Sequence, residues 1–167
     1  MNNIILIGMP GAGKSTIGVM AAKARGMQFI DTDLLIQQKH SMLLQQMLDK
    51  YGVEEFIKLE SAVIREIHTD NSVIATGGSV VLTEEAMLHL KSLGTVFFLD
   101  VPLFLLLRRL RNLSTRGVVR EKWQRVTDIY NQRKPLYEKY ADTIIKLPTF
   151  SNGSIEKTLD LILNTIA

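Results

Sequence analysis

One run of residues has the types and the spacing needed to bind a phosphate group. Residues 8–16 read Gly-Met-Pro-Gly-Ala-Gly-Lys-Ser-Thr. Glycines let the backbone wrap an anion with its N–H groups pointing inward, and a helix that starts there adds partial positive charge. The pattern, which is Gly, four residues, Gly, Lys and then Ser or Thr, is that of a P-loop. It predicts a nucleotide phosphate site, and the alternative is a glycine-rich turn beside a solvated lysine.

Within this loop the lysine and the first hydroxyl residue have distinct predicted tasks. Lys14 would reach the β- and γ-phosphates of ATP, and the hydroxyl of Ser15 would coordinate Mg²⁺. The other predicted ATP-binding residues of the loop are Gly11, Ala12, Gly13 and Thr16.

A P-loop needs a strand before it and a helix after it, and the sequence supplies both. Continuous apolar runs, typical of buried parallel strands, recur at 4–7, 27–30, 73–75, 96–99 and 143–145. Helical patterns alternate with them: an apolar face predicts a helix over 53–68, and further helices are expected to start at Thr83, Pro102 and Ser154. This alternation predicts an α/β fold with a doubly wound parallel sheet, and the length predicts a single domain over residues 1–167.

Polar or glycine residues follow two of the predicted strands, at the ends where open α/β sheets bind ligands. Asp31 and Asp33 follow the second strand, so that one could hold Mg²⁺ through water and the other could accept a hydrogen bond from an attacking hydroxyl. Either could instead cap the next helix. Gly77 and Gly78 follow the third strand and would permit close approach of a ligand, although an ordinary strand-to-helix turn is the simpler interpretation of these glycines alone.

Composition and charge limit the possible functions. The chain has 167 residues, no cysteine and a net charge of +3, so disulfides and cysteine-based zinc sites are excluded. We expect no signal peptide and no membrane span, and therefore a cytoplasmic protein. Residues 108–125 hold seven basic side chains against one acid. Such a cluster attracts anions, and composition does not choose between nucleic acid and nucleotide phosphate.

Taken together, these motifs resemble the shikimate kinase family over nearly the whole chain. The resemblance is carried by the P-loop, by Phe-Ile-Asp-Thr-Asp at 29–33, by Phe56 with Glu60, by Ala-Thr-Gly-Gly at 75–78 and by Arg-Lys-Pro-Leu-Tyr at 133–137. It implies a five-stranded parallel sheet with helices on both faces, as in nucleoside-monophosphate kinases. It also implies transfer of the ATP γ-phosphoryl group to a hydroxyl of shikimate beneath a closing lid, here expected at 112–121.

The resemblance also assigns roles to individual residues. Lys14 and Ser15 match the phosphate and Mg²⁺ positions, Asp31 the acid near the metal, and Asp33 the acid beside the acceptor hydroxyl. The remaining matches are Gly77 and Gly78 for backbone contacts to the substrate, Arg116 for the lid arginine that reaches the transferring phosphate, Arg133 for the substrate carboxylate, and Arg109, or else Arg108, for adenine.

Three positions depart from the family pattern, and all lie on the acceptor side or in the lid. Ile57 stands where the family has an arginine that clamps the substrate carboxylate, and the adjacent Lys58 is rotated by roughly 100° along the helix, so it should not replace that arginine. Ser79 replaces a third glycine. Gly117 replaces a proline after Arg116 and is expected to loosen the lid.

These departures leave other functions open. The nearest rival is a kinase of the same fold that phosphorylates a different polyol or hydroxy acid. A more distant one is a nucleotide-binding regulator or nucleic-acid-binding NTPase, although the basic cluster contains a single aromatic residue, Trp123, and no set of stacking residues. We therefore expect a small-molecule substrate, ATP and Mg²⁺, no nucleic-acid or membrane partner, and a monomer.

Overall fold

A computed structural model describes residues 2–110, 117–147 and 154–165. The described residues contain five strands, which are β1 (Asn3–Ile7), β2 (Gln28–Asp31), β3 (Ser72–Ala75), β4 (Gly94–Asp100) and β5 (Thr143–Lys146). All neighbouring strands pair in parallel, in the order β2-β3-β1-β4-β5. The predicted parallel sheet and its five strands are confirmed, each to within two residues at either end.

Seven α-helices lie in the same ranges: α1 (Lys14–Arg25), α2 (Thr32–His40), α3 (Leu44–Arg65), α4 (Glu84–Leu93), α5 (Leu103–Leu110), α6 (Val126–Tyr140) and α7 (Ser154–Thr165). A short 3₁₀ helix covers Val80–Leu82. Right-handed crossovers place α1 on one face of the sheet, where it packs against α7, and α3, α4 and α6 on the other. The described helices include none that is long and apolar enough to cross a membrane.

The helix predicted over 53–68 is longer at its start than the sequence suggested. It begins at Leu44 and ends at Arg65, with a kink at Gly52, whose φ of 78° is not helical. The glycine concealed the earlier half, because it interrupts a pattern in which Leu44 and Met47 are buried. A smaller difference concerns Pro102, which lies just before α5 and not in its first turn.

Two hydrophobic clusters position the helices around the sheet. The larger one surrounds the buried strands. The smaller one lies under α2 and α3 and consists of Ile36, Leu44, Met47, Phe56, Val63 and Val119. Because Val119 lies within the predicted lid, this second cluster joins the lid segment to the two helices beside the carboxyl ends of β2 and β3.

Asn3 ties the opposite end of the sheet together. Its side-chain amide donates to the carbonyls of Thr69 (2.8 Å) and Leu93 (3.0 Å), and its Oδ1 accepts from the N–H of Ser72 (2.9 Å). The side chain is buried, so its removal would leave three backbone groups without these partners.

We predict that Asn3→Ala lowers the free energy of unfolding by about 2–4 kcal/mol, because unpaired buried polar groups are costly. Urea unfolding monitored by circular dichroism measures the change. Asn2→Ala is the matched control, since Asn2 is exposed and its recorded hydrogen bond uses the backbone N–H. An equal loss in the two variants would contradict the role of the Asn3 side chain.

Candidate active site

A cavity of about 390 Å³ opens at the carboxyl ends of the strands. Its walls come from the P-loop, from the start of α2, from the residues after β3, from the segment 117–119 and from α6. The predicted site residues that line it are Gly11, Gly13, Lys14, Ser15, Thr16, Asp31, Asp33, Gly77, Gly78 and Arg133. The topology therefore brings together residues that are far apart in sequence.

The P-loop has the geometry of a phosphate cradle. Gly11 and Gly13 adopt φ values of 78° and 95°, which favour glycine. Lys14 begins α1, and its Nζ donates to the carbonyls of Gly8 (2.7 Å) and Met9 (2.9 Å), which hold it across the loop. Burial lowers the pKa of the Lys14 ammonium group to about 8, against the opposing charges of Asp33 and Asp31. A bound phosphate would compensate this desolvated charge.

Asp31 caps α2, as the alternative reading of the sequence allowed, and also contacts the P-loop. Its Oδ1 caps α2 by accepting from the N–H groups of Asp33 (3.0 Å) and Leu34 (3.4 Å). Its Oδ2 accepts from the hydroxyl of Ser15 at 2.7 Å. The capping bonds thus aim the second carboxylate oxygen at the P-loop hydroxyl.

The Ser15 and Asp31 oxygens fit a Mg²⁺ ion that is held mainly by nucleotide phosphates and water. Magnesium in kinases is bound through one or two protein carboxylates, and the protein does not enclose it. Within the described ranges, no group of three or more acidic, histidine or cysteine residues forms a separate metal site.

Gly77 and Gly78 form the cavity wall beside the P-loop, and neither position has space for a side chain. A Cβ on Gly77 would lie 2.5 Å from Oε1 of Glu60 and 2.8 Å from Oδ1 of Asp33. A Cβ on Gly78 would lie 2.5 Å from Cδ of Pro10. The glycines therefore allow the end of β3 to lie against the P-loop on one side and two carboxyl groups on the other.

Arg133 supplies a buried positive charge to this wall. It lies on α6, is 2% exposed, and donates through Nη2 to the carbonyl of Val119. Its Nε and Nη1 are buried and have no hydrogen-bond partner among the described residues. A buried guanidinium group with unused donors fits a carboxylate ligand, which can accept two parallel hydrogen bonds.

Tyr137 lies one turn after Arg133 and fixes the same wall. Its ring stacks on Phe98 of β4 with centroids 5.0 Å apart, and its hydroxyl donates to the carbonyl of Gly78 at 2.5 Å. Burial raises the pKa of the Tyr137 hydroxyl well above its ordinary value. The hydroxyl therefore stays protonated and remains a donor throughout the working range of pH.

Glu60 is the residue whose role the sequence analysis missed. It is 1% exposed, and its Oε2 accepts from the hydroxyl of Ser79 at 2.6 Å. Burial raises the pKa of the Glu60 carboxyl from 4.5 to about 7. The Ser79 hydrogen bond and the positive charges of Arg133 and Lys14 oppose this rise, whereas the Asp33 charge adds to it. A signal was present in the sequence, because position 60 lies on the apolar face of α3 and yet carries an acid.

Of Arg108 and Arg109, the two candidates for binding adenine, Arg109 contacts the P-loop. Nη1 of Arg109 donates to the P-loop carbonyls of Gly11 (3.0 Å) and Ala12 (3.5 Å). Both arginines are exposed to solvent, so these hydrogen bonds are what distinguishes them. Arg109 is therefore the one that lies beside the nucleotide cradle, whereas the predicted lid arginine, Arg116, lies outside the described residues.

The structure gives Gly117 a role different from the looser lid that the sequence suggested. Its φ is 58°, and a Cβ there would lie 2.9 Å from both the backbone nitrogen of Gln45 and Cβ of Leu44. The glycine thus permits a tight contact between the predicted lid and the start of α3.

The other two departures from the family pattern are Ile57, which lies beside Lys58, and Ser79. Lys58 is exposed and pairs with Glu54 (3.2 Å) and Glu55 (3.4 Å), so it does not replace the missing arginine, as predicted. Ile57 packs against the smaller hydrophobic cluster. Ser79 lines the cavity, and its hydroxyl is bonded to Glu60.

A P-loop after the central strand of a parallel sheet, facing an acid pair and a buried arginine, defines a P-loop kinase of small molecules. The model of the shikimate kinase family matches residues 10–166. The chain belongs to the shikimate kinase family.

Individual relatives agree with this assignment. The shikimate kinase of Clostridium botulinum (strain Eklund 17B / Type B) is 36% identical and covers 99% of this chain and 94% of its own length. The structure of shikimate kinase from Acinetobacter baumannii in complex with shikimate has a TM-score of 0.85 and 30% identity, covering 99% of this chain and 94% of that one. The structure from Aquifex aeolicus has a TM-score of 0.81 and 30% identity, with coverages of 98% and 95%.

The family assignment confirms several predictions. The fold is that of P-loop nucleoside-monophosphate-kinase-like proteins. The protein is an ATP-dependent small-molecule kinase, and its cofactors are ATP and Mg²⁺.

The raised pKa of Glu60 predicts how the stability of the ligand-free protein changes with pH. Because its pKa is higher in the folded state, protonation of Glu60 contributes stability that is fully present below about pH 4.5 and is lost as the pH rises through about 7. We predict that Glu60→Gln, which stays neutral, gains about 3 kcal/mol relative to the wild type across this range.

Urea unfolding at a series of pH values measures this difference. Glu54→Gln is the control, because Glu54 is an exposed glutamate on the same helix, and its profile should follow that of the wild type. Parallel profiles for the wild type and Glu60→Gln would show that Glu60 does not titrate in this range.

Proposed function

We propose that this protein transfers the γ-phosphoryl group of Mg²⁺-ATP to a hydroxyl of shikimate and forms shikimate 3-phosphate. The observation that supports shikimate as the acceptor is Arg133, which lines the same cavity as the P-loop and whose Nε and Nη1 are buried and unpaired among the described residues. A carboxylate bound there would place the rest of a small polyhydroxylated acid between Arg133 and the P-loop. Family membership supports the same acceptor.

On the donor side the chain's own groups bind and orient the nucleotide. The backbone from Gly11 to Thr16 surrounds the phosphates, and Lys14 neutralises charge on the transferring group. Ser15 and Asp31 would hold Mg²⁺, and the ion would supply positive charge to the phosphate oxygens. Arg109, which contacts the P-loop carbonyls, would bind the adenine.

On the acceptor side Asp33 is the catalytic acid–base residue. It lies beside Gly77 in the cavity, orients the attacking hydroxyl and takes its proton as the new bond to phosphorus forms and the bond to ADP breaks. Gly77 and Gly78 contact the substrate through their backbone, and Arg133 binds its carboxylate. Arg116 completes the catalytic set from the lid at residues 112–121, which excludes water when closed.

The second candidate is a kinase of the same fold with another acceptor. Ile57 favours it, because its side chain packs into an apolar cluster and adds no positive charge to the acceptor site. A hydrogen bond to a charged group contributes about 1.5–3 kcal/mol. The loss of one arginine should therefore weaken a carboxylate site roughly tenfold or more.

We propose further that residues 1–167 act as a single kinase domain, as a monomer in the cytoplasm and without a nucleic-acid partner. The contact of Arg109 with the P-loop supports the last point, since it gives part of the basic segment a role at the nucleotide. A salt-dependent gel shift with DNA or RNA would contradict it.

The first experiment is coupled ADP release with Mg²⁺-ATP in the presence and absence of shikimate. We expect turnover that depends on shikimate at sub-millimolar concentration, and a KM at least about tenfold higher for shikimate methyl ester, which lacks the anionic carboxylate. A panel of other polyols and hydroxy acids is the comparison. Turnover of another acceptor without stimulation by shikimate would favour the second candidate.

The role of Asp33 gives a separate prediction. Asp33→Asn keeps the size of the side chain but removes the proton acceptor, so we expect kcat to fall at least about 100-fold. ATP affinity, measured by calorimetry, should stay within about twofold of the wild type, because Lys14 and Ser15 remain. An equal loss of ATP binding and turnover would show that Asp33 serves the nucleotide site.

A further inference from the structure

Two opposite charges lie buried in the acceptor wall without pairing. Glu60 is 1% exposed and Arg133 is 2% exposed. Oε1 of Glu60 and both Nε and Nη1 of Arg133 have no hydrogen-bond partner among the described residues. The two groups attract each other electrostatically, and this attraction is strong where water is excluded. A contact that fixes the Glu60 carboxyl therefore opposes their pairing.

Ser79 provides that contact. Its hydroxyl donates to Oε2 of Glu60 at 2.6 Å, and the serine itself is buried at the start of the 3₁₀ helix. The other carboxyl oxygen, Oε1, lies against Gly77, 2.5 Å from where a Cβ would stand. One oxygen is thus held by a hydrogen bond and the other is confined by backbone.

Residue 57 cannot share this task. Ile57 lies three residues before Glu60 on α3, where a long cationic side chain could reach the carboxyl group. Its apolar side chain packs instead against the smaller hydrophobic cluster. Lys58 is turned toward Glu54 and Glu55. Within the described part of the chain, the one recorded hydrogen bond to the Glu60 carboxyl comes from Ser79.

We propose that Ser79 is a positioning residue that holds Glu60 against Gly77 and thereby keeps Arg133 available for the carboxylate of the acceptor. Without the serine hydroxyl, the Glu60 carboxylate turns to Arg133, occupies its free N–H groups and competes with the substrate. This inference rests on the proposed function insofar as the acceptor carries a carboxylate. It links two of the departures from the family pattern. Ile57 provides no positive charge to pair with Glu60, and Ser79 binds the Glu60 carboxyl by a hydrogen bond instead.

The kinetic test compares the wild type, Ser79→Ala, Glu60→Gln and the double variant. We expect Ser79→Ala to raise the KM for shikimate about tenfold, which corresponds to the loss of one charged hydrogen bond, and to change the KM for ATP less than twofold. In the Glu60→Gln background the same substitution should have almost no effect, because no competing carboxylate remains. An equal rise of the shikimate KM in both backgrounds would overturn the proposal.

A second measurement does not depend on turnover. Carbon-13 NMR of the glutamate carboxyl groups, with the Glu60 signal assigned from Glu60→Gln, follows its titration in the free protein. The titratable and charged groups that face Glu60 are Asp33, Arg133, Lys14 and the Tyr137 hydroxyl. If Ser79→Ala lets Glu60 pair with Arg133, the pKa of Glu60 falls. If the serine only donates a hydrogen bond, its removal raises the pKa.

The two measurements separate this inference from the proposed function. A wild type that does not use shikimate contradicts the proposed acceptor, and the NMR titration still tests the position of Glu60. A lower Glu60 pKa in Ser79→Ala supports the inference, and a higher one overturns it. Circular dichroism and ATP affinity of Ser79→Ala show whether the variant is folded, and Ser79→Cys, which keeps a weak donor, provides a second variant of nearly the same size.

Discussion

The acceptor half of this molecule depends on keeping Arg133 buried, charged and only partly hydrogen-bonded. Such a group is unfavourable in the free protein, because the loss of hydration is not fully compensated. The surrounding structure must therefore hold it in place. Arg133 and Tyr137 lie on one face of α6, and the stacking of Tyr137 on Phe98 together with its bond to Gly78 anchors that face to the sheet. The cost of an unsatisfied guanidinium group is offset by packing that does not involve the substrate.

The P-loop side of the cavity follows the same principle: its charged side chains are also held in place before a ligand binds. Lys14 is buried and held by two carbonyls, and burial lowers the pKa of its ammonium group. Asp31 is fixed by the N–H groups at the start of α2 before it reaches Ser15. In both halves the backbone fixes charged side chains in advance, so little reorganisation is needed when a ligand binds. The parallel sheet makes this possible, since the carboxyl ends of β1, β2 and β3 meet at one edge.

The sequence predicted those parts of the site that depend on local patterns. The P-loop, the strands and the acids after β2 each have a spacing or composition with a direct physical meaning, and family resemblance pointed to Arg133. The role of Glu60 could not be predicted in this way, because its environment is formed by Ser79 and Gly77, which are distant in sequence. The tight contact of Gly117 with Leu44 and Gln45 was missed for the same reason. A glycine is compatible with a loose loop or with close packing, and only the tertiary neighbours decide between them.

The departures at positions 57 and 79 are better understood together than one at a time. Taken alone, Ile57 removes a cation and Ser79 adds bulk, and each would be expected to impair a site for an anionic acceptor. In the folded chain, the loss of a cation leaves the Glu60 carboxyl without an ionic partner, and the added hydroxyl binds that carboxyl at 2.6 Å. A neutral donor holds an acid less strongly than an arginine does, which agrees with the raised pKa of Glu60. With Ile57 in place of an arginine, Arg133 is the single buried arginine among the described residues of the acceptor wall, so the proposed binding of a carboxylate depends on how completely Glu60 is kept from it.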